Sequence, residues 1–157
     1  SGEAMVFYGA HLRENAVVAD TEAELRFVSY ELNRLLGVSV EGDMDLDGDG
    51  SVDLLLGASG MALPSTGGTE DDIVEGMDSP GAVFLYWGDR LAPGVHDTTD
   101  APVRLDGELL NDHMGIRVTS PGDVDGDGLD DLLIGTERGQ SDVGRAYLLT
   151  GLRSGVR

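Results

Sequence analysis

The chain has no cysteine among its 157 residues. A disulfide framework, a thiolate metal site and a cysteine nucleophile are therefore excluded, and cysteine usage says nothing about redox compartment. Basic residues are scarce, with 10 Lys and Arg against 30 Asp and Glu, a formal charge of −20. That balance excludes a nucleic-acid reader working through a basic face and argues against electrostatic docking on anionic membrane. Long apolar runs are missing too, and none approaches the ~20 residues a membrane-spanning helix needs. Aromatic residues make up only 5%, yet the 40% hydrophobic content still supplies a core for one domain of ordinary size. Glycine is what the chain has in excess. Its 24 residues are about twice the usual ~7% share, which points to many turns and away from a helix bundle.

The chain repeats itself. Shifted by 78 positions, Thr21 to Ala58 lies on Thr99 to Thr136 without a gap and with 16 identities in 38 pairs, Asn33 with Asn111, Gly37 with Gly115 and Gly57 with Gly135 among them. A third element occurs three times, at Gly2–Gly9, Gly81–Gly88 and Gly144–Gly151. The last two stand 63 residues apart, so the second unit has a shorter connecting loop where the first carries the polar stretch Gly60–Pro80.

Element types follow from pattern. Asp53–Gly57 and Asp131–Gly135 are short apolar runs bounded by turn residues and read as buried strands. The three glycine-bounded segments are strand-length and rich in Val, Phe and Tyr. Leu35–Val40 and Met114–Val118 read as strands leading into acidic loops. Ala23–Leu36 is ambiguous, because Leu25, Val28, Leu32 and Leu35 have helical spacing after a Thr21/Glu24 capping box. Its repeat partner contains Pro102 and Gly107, which oppose a helix. Equivalent positions share a structure, so Glu24–Val28 and Pro102–Asp106 are read as strands.

The order is then third, fourth; first, second, third, fourth; first, second, third. Nine strands in units of four indicate an all-β fold of β-propeller blades, each of four antiparallel strands. About 2.25 blades per chain make an incomplete ring. Residues 1–34 read as the end of a preceding blade, 35–112 as a complete blade and 113–157 as a partial one. Either the chain is part of a longer one or several copies assemble, since about three repeats are needed for stability.

Between the first and second strands of each unit lies a Gly/Asp run following D-x-D-G-D-G-x-x-D: Asp45, Asp47, Asp49 and Asp53 in one, Asp123, Asp125, Asp127 and Asp131 in the other. Four carboxylates so spaced repel unless a cation neutralises them. Oxygen-only ligands on a flexible loop suit Ca²⁺ better than octahedral Mg²⁺. Position seven, Ser51 or Leu129, offers its backbone carbonyl, and position nine closes the cage. An EF-hand does not fit, because position twelve is Leu56 or Ile134 and not an acid. Asp43 reads as a solvated or outer charge, and Asp130, opposite Val52, as solvent-facing.

These residues carry a family resemblance. Leu36-Gly-Val-Ser-Val40, the acidic loop, Leu54-Leu-Leu-Gly-Ala58 and Gly81-Ala-Val-Phe-Leu-Tyr86 resemble an FG-GAP repeat, as do Met114-Gly-Ile-Arg-Val118, the second loop, Leu132-Leu-Ile-Gly135 and Gly144-Arg-Ala-Tyr-Leu148. Leu36 and Met114 stand where the family favours Phe. The resemblance implies the blades of an integrin-alpha-like seven-bladed propeller. Its implied metal ligands are the Asp side chains at positions one, three, five and nine with the carbonyl at seven, and its partner-binding loops lie on the rim opposite the metal loops, which includes Gly60–Pro80.

The expected function is an extracellular binding, adhesion or scaffold module, secreted or at the cell surface, with two structural Ca²⁺ per chain. Its partner would be another protein or further blades from other copies. A hydrolase is the rival. His11, His96 and His113, with Asp112 beside the last, would have to carry it, but no Ser or Cys nucleophile motif accompanies them. A third reading is assembly, three or four copies closing a ring of six or eight blades through exchanged strands. Trp87 is expected to pack between blades.

Overall fold

The computed structural model describes residues 2–9, 19–29, 33–61, 80–109, 111–137 and 143–151. His11 and 62–79 of the expected polar loop lie outside them. Ten strands follow in chain order: β1 (Ala4–Val6), β2 (Leu25–Val28), β3 (Asn33–Glu41), β4 (Leu54–Met61), β5 (Ala82–Tyr86), β6 (Gly94–Asp97), β7 (Val103–Asp106), β8 (Arg117–Gly122), β9 (Asp131–Gly135) and β10 (Ala146–Leu149). Among the described residues there is no α-helix, and short 3₁₀ turns stand at Asp20–Glu22, Gly88–Arg90 and Thr98–Asp100. Within the ambiguous segment Leu25–Val28 is strand, as the repeat argument required.

The strands form three sheets. The middle one is a full antiparallel blade in the order β3-β4-β5-β7. On one side lies β10-β9-β8, three antiparallel strands of the next blade. On the other lies β1-β2-β6. The fold is therefore all-β, an incomplete propeller.

Why β5 reads as an unbroken apolar run is now clear. All five of its residues are buried, because the middle blade is covered on both faces. Alternation divides them: Val83 and Leu85 face the β8–β10 sheet, in a core with Leu55, Trp87, Val118, Leu132 and Ile134. Ala82, Phe84 and Tyr86 face the β1–β2 side, with Leu25, Phe27, Leu36 and Leu56. Leu55 and Leu56 of β4 point to opposite cores for the same reason, the two-residue period of a strand. Trp87 packs between blades as expected.

The middle sheet and the β8–β10 sheet approach closely. Ser39 Oγ donates to the Gly115 carbonyl at 2.6 Å, and Gly81 forms a parallel bridge with Met114. The backbone bends the same way at equivalent positions of the two units: Leu35, within β3, has φ 68° and His113, ahead of β8, has φ 49°. These residues are 78 positions apart, so a left-handed turn belongs to the repeat and not to either side chain.

Three expectations need correction. The first strand of the second unit is Arg117–Gly122 and not Met114–Val118, because Met114 is drawn out of line by its bridge to Gly81 and its N–H bond to the Pro80 carbonyl. A tenth strand, Gly94–Asp97, adds to the nine expected from the sequence. It pairs in parallel with β2, filling a sheet edge that would otherwise leave its backbone groups unpaired. Asp130 is not solvent-facing but half-buried, with Oδ2 accepting the Asp45 N–H at 2.9 Å.

Candidate metal centre

The two acidic loops sit between β3 and β4 and between β8 and β9. Each wraps around its first carboxylate. Asp45 Oδ1 accepts from the Gly48 and Asp49 amides, and its Oδ2 from Gly50 at 2.8 Å. Asp123 does the same with Gly126, Asp127 and Gly128. The wrap needs left-handed backbone at the loop glycines, where φ is 77° and 85° in one loop and 81° and 88° in the other, a conformation glycine adopts without steric cost. Asp47 Oδ1 then caps the Asp49 amide and Asp49 Oδ1 the Ser51 amide. Asp125 and Asp127 repeat this on Asp127 and Leu129. Positions seven, Ser51 and Leu129, thus stand at the end of each wrap.

Position nine is the anchor. Asp53 and Asp131 are buried, 1% and 0% exposed. Asp53 Oδ2 accepts the Leu46 N–H and its Oδ1 the Gly88 N–H at the end of β5. Asp131 takes Val124 and Gly151 in the same way, at 2.7 Å and 3.1 Å. Each loop is therefore tied to the end of its blade's third strand, a link that sequence reasoning missed. The glycine closing each third-strand segment was its visible trace.

Carboxylate atoms of Asp45, Asp47 and Asp49 lie within 4.8 Å of one another, as do those of Asp123, Asp125 and Asp131. Asp53 falls outside the first of these sets and Asp127 outside the second. Burial pushes the Asp53 carboxyl above its ordinary range. The Gly88 and Leu46 amides pull it back, and the Asp47 and Asp45 charges push it up again. Asp47 Oδ2 is buried without a hydrogen-bond partner. An orphaned carboxylate oxygen among like charges fits a hard cation, whose charge would reverse the local electrostatics. Asp43 is exposed, as expected.

His96 and His113 lie away from both loops. The His96 ring stacks on Phe27 at 5.3 Å, and its Nε2 lies 2.8 Å from the Ala92 carbonyl. His113 Nδ1 is 3.7 Å from Glu137 Oε2. Asp112, 1% exposed, caps the Leu109 amide with Oδ2 at 2.9 Å. These engagements hold the connection into the last blade and the packing of β6.

No curated protein matches the chain. Residues 117–149, which run from the start of β8 through the second acidic loop to the end of β10, match the family model of the FG-GAP repeat.

Proposed function

We propose that the chain is a calcium-binding, non-catalytic module of an integrin-like propeller, acting as an extracellular binding, adhesion or scaffold domain. The observation that carries this reading is the repetition of one nine-residue wrap, bond for bond, in adjacent blades, with the buried Asp47 Oδ2 left for a cation. Asp45, Asp47, Asp49, Asp53 and the Ser51 carbonyl would hold one ion. Asp123, Asp125, Asp127, Asp131 and the Leu129 carbonyl would hold the other. Each ion supplies positive charge that neutralises the loop. The chain's own residues do the rest, gathering loop amides and tying the wrap to the β5 and β10 ends. Two Ca²⁺ would bring the formal charge from −20 to −16. Affinities of about 10⁻⁴–10⁻³ M serve extracellular modules, which supports a secreted or cell-surface location. No helix among the described residues is long and apolar enough to cross a membrane.

Titration calorimetry tests the reading. Two ions per chain are expected, and Asp49→Ala and Asp127→Ala should each remove one. Chelator should lower the melting temperature, since an ion bound only by the folded state adds stability. Unchanged stoichiometry in both variants, or a melt indifferent to chelator, refutes it.

A second reading is supported by the sheets themselves. Among the described residues β8–β10 lacks a fourth strand, and β1–β2 lacks the first and second strands of its blade. Strand exchange between copies, or blades of a longer chain, would complete both. Sedimentation equilibrium in millimolar calcium decides it. Three or four times 16.5 kDa means self-assembly, and a single mass rejects it. A role as the non-catalytic part of a calcium-dependent secreted hydrolase remains the alternative.

A further inference from the structure

The two acidic loops are bonded to each other. The Asp45 amide donates to Asp130 Oδ2 at 2.9 Å, and the Asp130 amide donates back to the Asp45 carbonyl at 3.2 Å. A Cβ placed on Gly48 would press into the Leu129 side chain, so the loops also touch beside this pair. Asp45 is the hub of its own loop, whose carboxylate collects three amides. Asp130 adjoins Asp131, the buried anchor of the other loop, which is fixed by Val124 and Gly151. The main chain at the first position of one loop is thus held by the eighth position of the next. The repeat does not require this, because the equivalent of Asp130 is Val52, 56% exposed.

We propose that Asp130 is a coupling residue that makes the two cation sites bind cooperatively. The inference rests on the calcium reading above. With a cation held in the second loop, Asp131 gains a further partner beyond its two amides, which stiffens that loop and with it Asp130. That holds the Asp45 backbone in place before the first loop binds, so less ordering remains for the first ion to impose. The Asp130 carboxylate also stands between the two loops, where its negative charge offsets repulsion between the cations. The coupling is reciprocal, as linkage demands.

A cycle of calcium titrations tests this. Asp125→Ala disables the second site and should weaken the first by about fivefold or more. In the Asp130→Val background, which installs the repeat's own residue, the same change should leave the first site within about twofold. Asp130→Asn keeps an acceptor for the Asp45 amide and should retain most of the coupling. An undiminished coupling in Asp130→Val, or two independent sites in the parent, overturns the proposal. A parent binding fewer than two ions instead overturns the calcium reading beneath it. Hydrogen exchange provides a test on a chain with Asp130 intact. In Asp47→Asn, where only the second loop binds, calcium should slow exchange of the Asp45 amide, and an unchanged rate refutes the coupling.

Discussion

Gly57 and Gly135 occupy the same place in the repeat, yet alanine should act oppositely at the two. Gly57 lies buried in β4, paired with Ser39 and Val83. A Cβ there would collide with the Gly115 carbonyl oxygen and Ser39 Oγ, and would stand 3.0 Å from the Gly115 carbonyl carbon. Backbone cannot rotate aside, so β8 and its sheet would have to withdraw. Overpacking of this kind costs about 1–3 kcal/mol. Displacing the Ser39–Gly115 hydrogen bond adds about 0.5–1.5 kcal/mol. Restriction of the unfolded chain by alanine returns about 0.4–1 kcal/mol. The net is a loss of roughly 2–3 kcal/mol, or a fall of about 4–12 °C in melting temperature for a chain of this length. At Gly135 the nearest atom to a new Cβ is Arg117 Cβ at 3.5 Å, ordinary contact. Gly135→Ala should therefore stay within about 1 kcal/mol of the parent, on the stabilising side. Thermal melts of both variants, followed by circular dichroism at one calcium concentration, measure the difference. A Gly57→Ala melt within about 2 °C of the parent, or equal losses at the two positions, would refute the account of the blade junction.

Phe27 is fully buried, 4.7 Å from the Tyr86 ring and 5.3 Å from His96, so Phe27→Ala should cost about 3–5 kcal/mol. Urea unfolding checks it, and a loss under about 1 kcal/mol would mean that β6 and β2 do not pack as described. Burial raises the Tyr86 pKa well above its ordinary value of 10.0, with the Asp97 and Asp100 charges adding to the shift. Above that value the unfolded chain loses the phenolic proton while the folded chain keeps it. Tyr86 therefore contributes its full stability below pH 10 and loses it as the pH rises further. Tyr86→Phe should flatten this alkaline loss of stability in pH-dependent urea unfolding. Equal slopes for parent and variant would contradict the buried phenol.

The blade plan was legible before any tertiary contact was known. Strand-length apolar runs, glycine punctuation and the 78-residue shift are local or periodic signals, and they located nine of the ten strands among the described residues. They also chose strand over helix for Leu25–Val28, where spacing alone favoured helix, because Pro102 and Gly107 in the partner unit forbid one. The spacing of the carboxylates from Asp45 to Asp53 and from Asp123 to Asp131 was legible for the same reason, since a tight loop brings near neighbours in sequence together. Tertiary structure decided what depends on distant partners. Gly94–Asp97 has no strand pattern of its own and is extended only because β2 offers an open edge. Asp130 resembled a solvated charge because its repeat partner is Val52, but its role is set by Asp45, 85 residues away. The anchoring of Asp53 and Asp131 to Gly88 and Gly151 likewise joins strand ends that only the folded sheet brings together. A repeat predicts what its units share, and the contacts between units arise only when they stack.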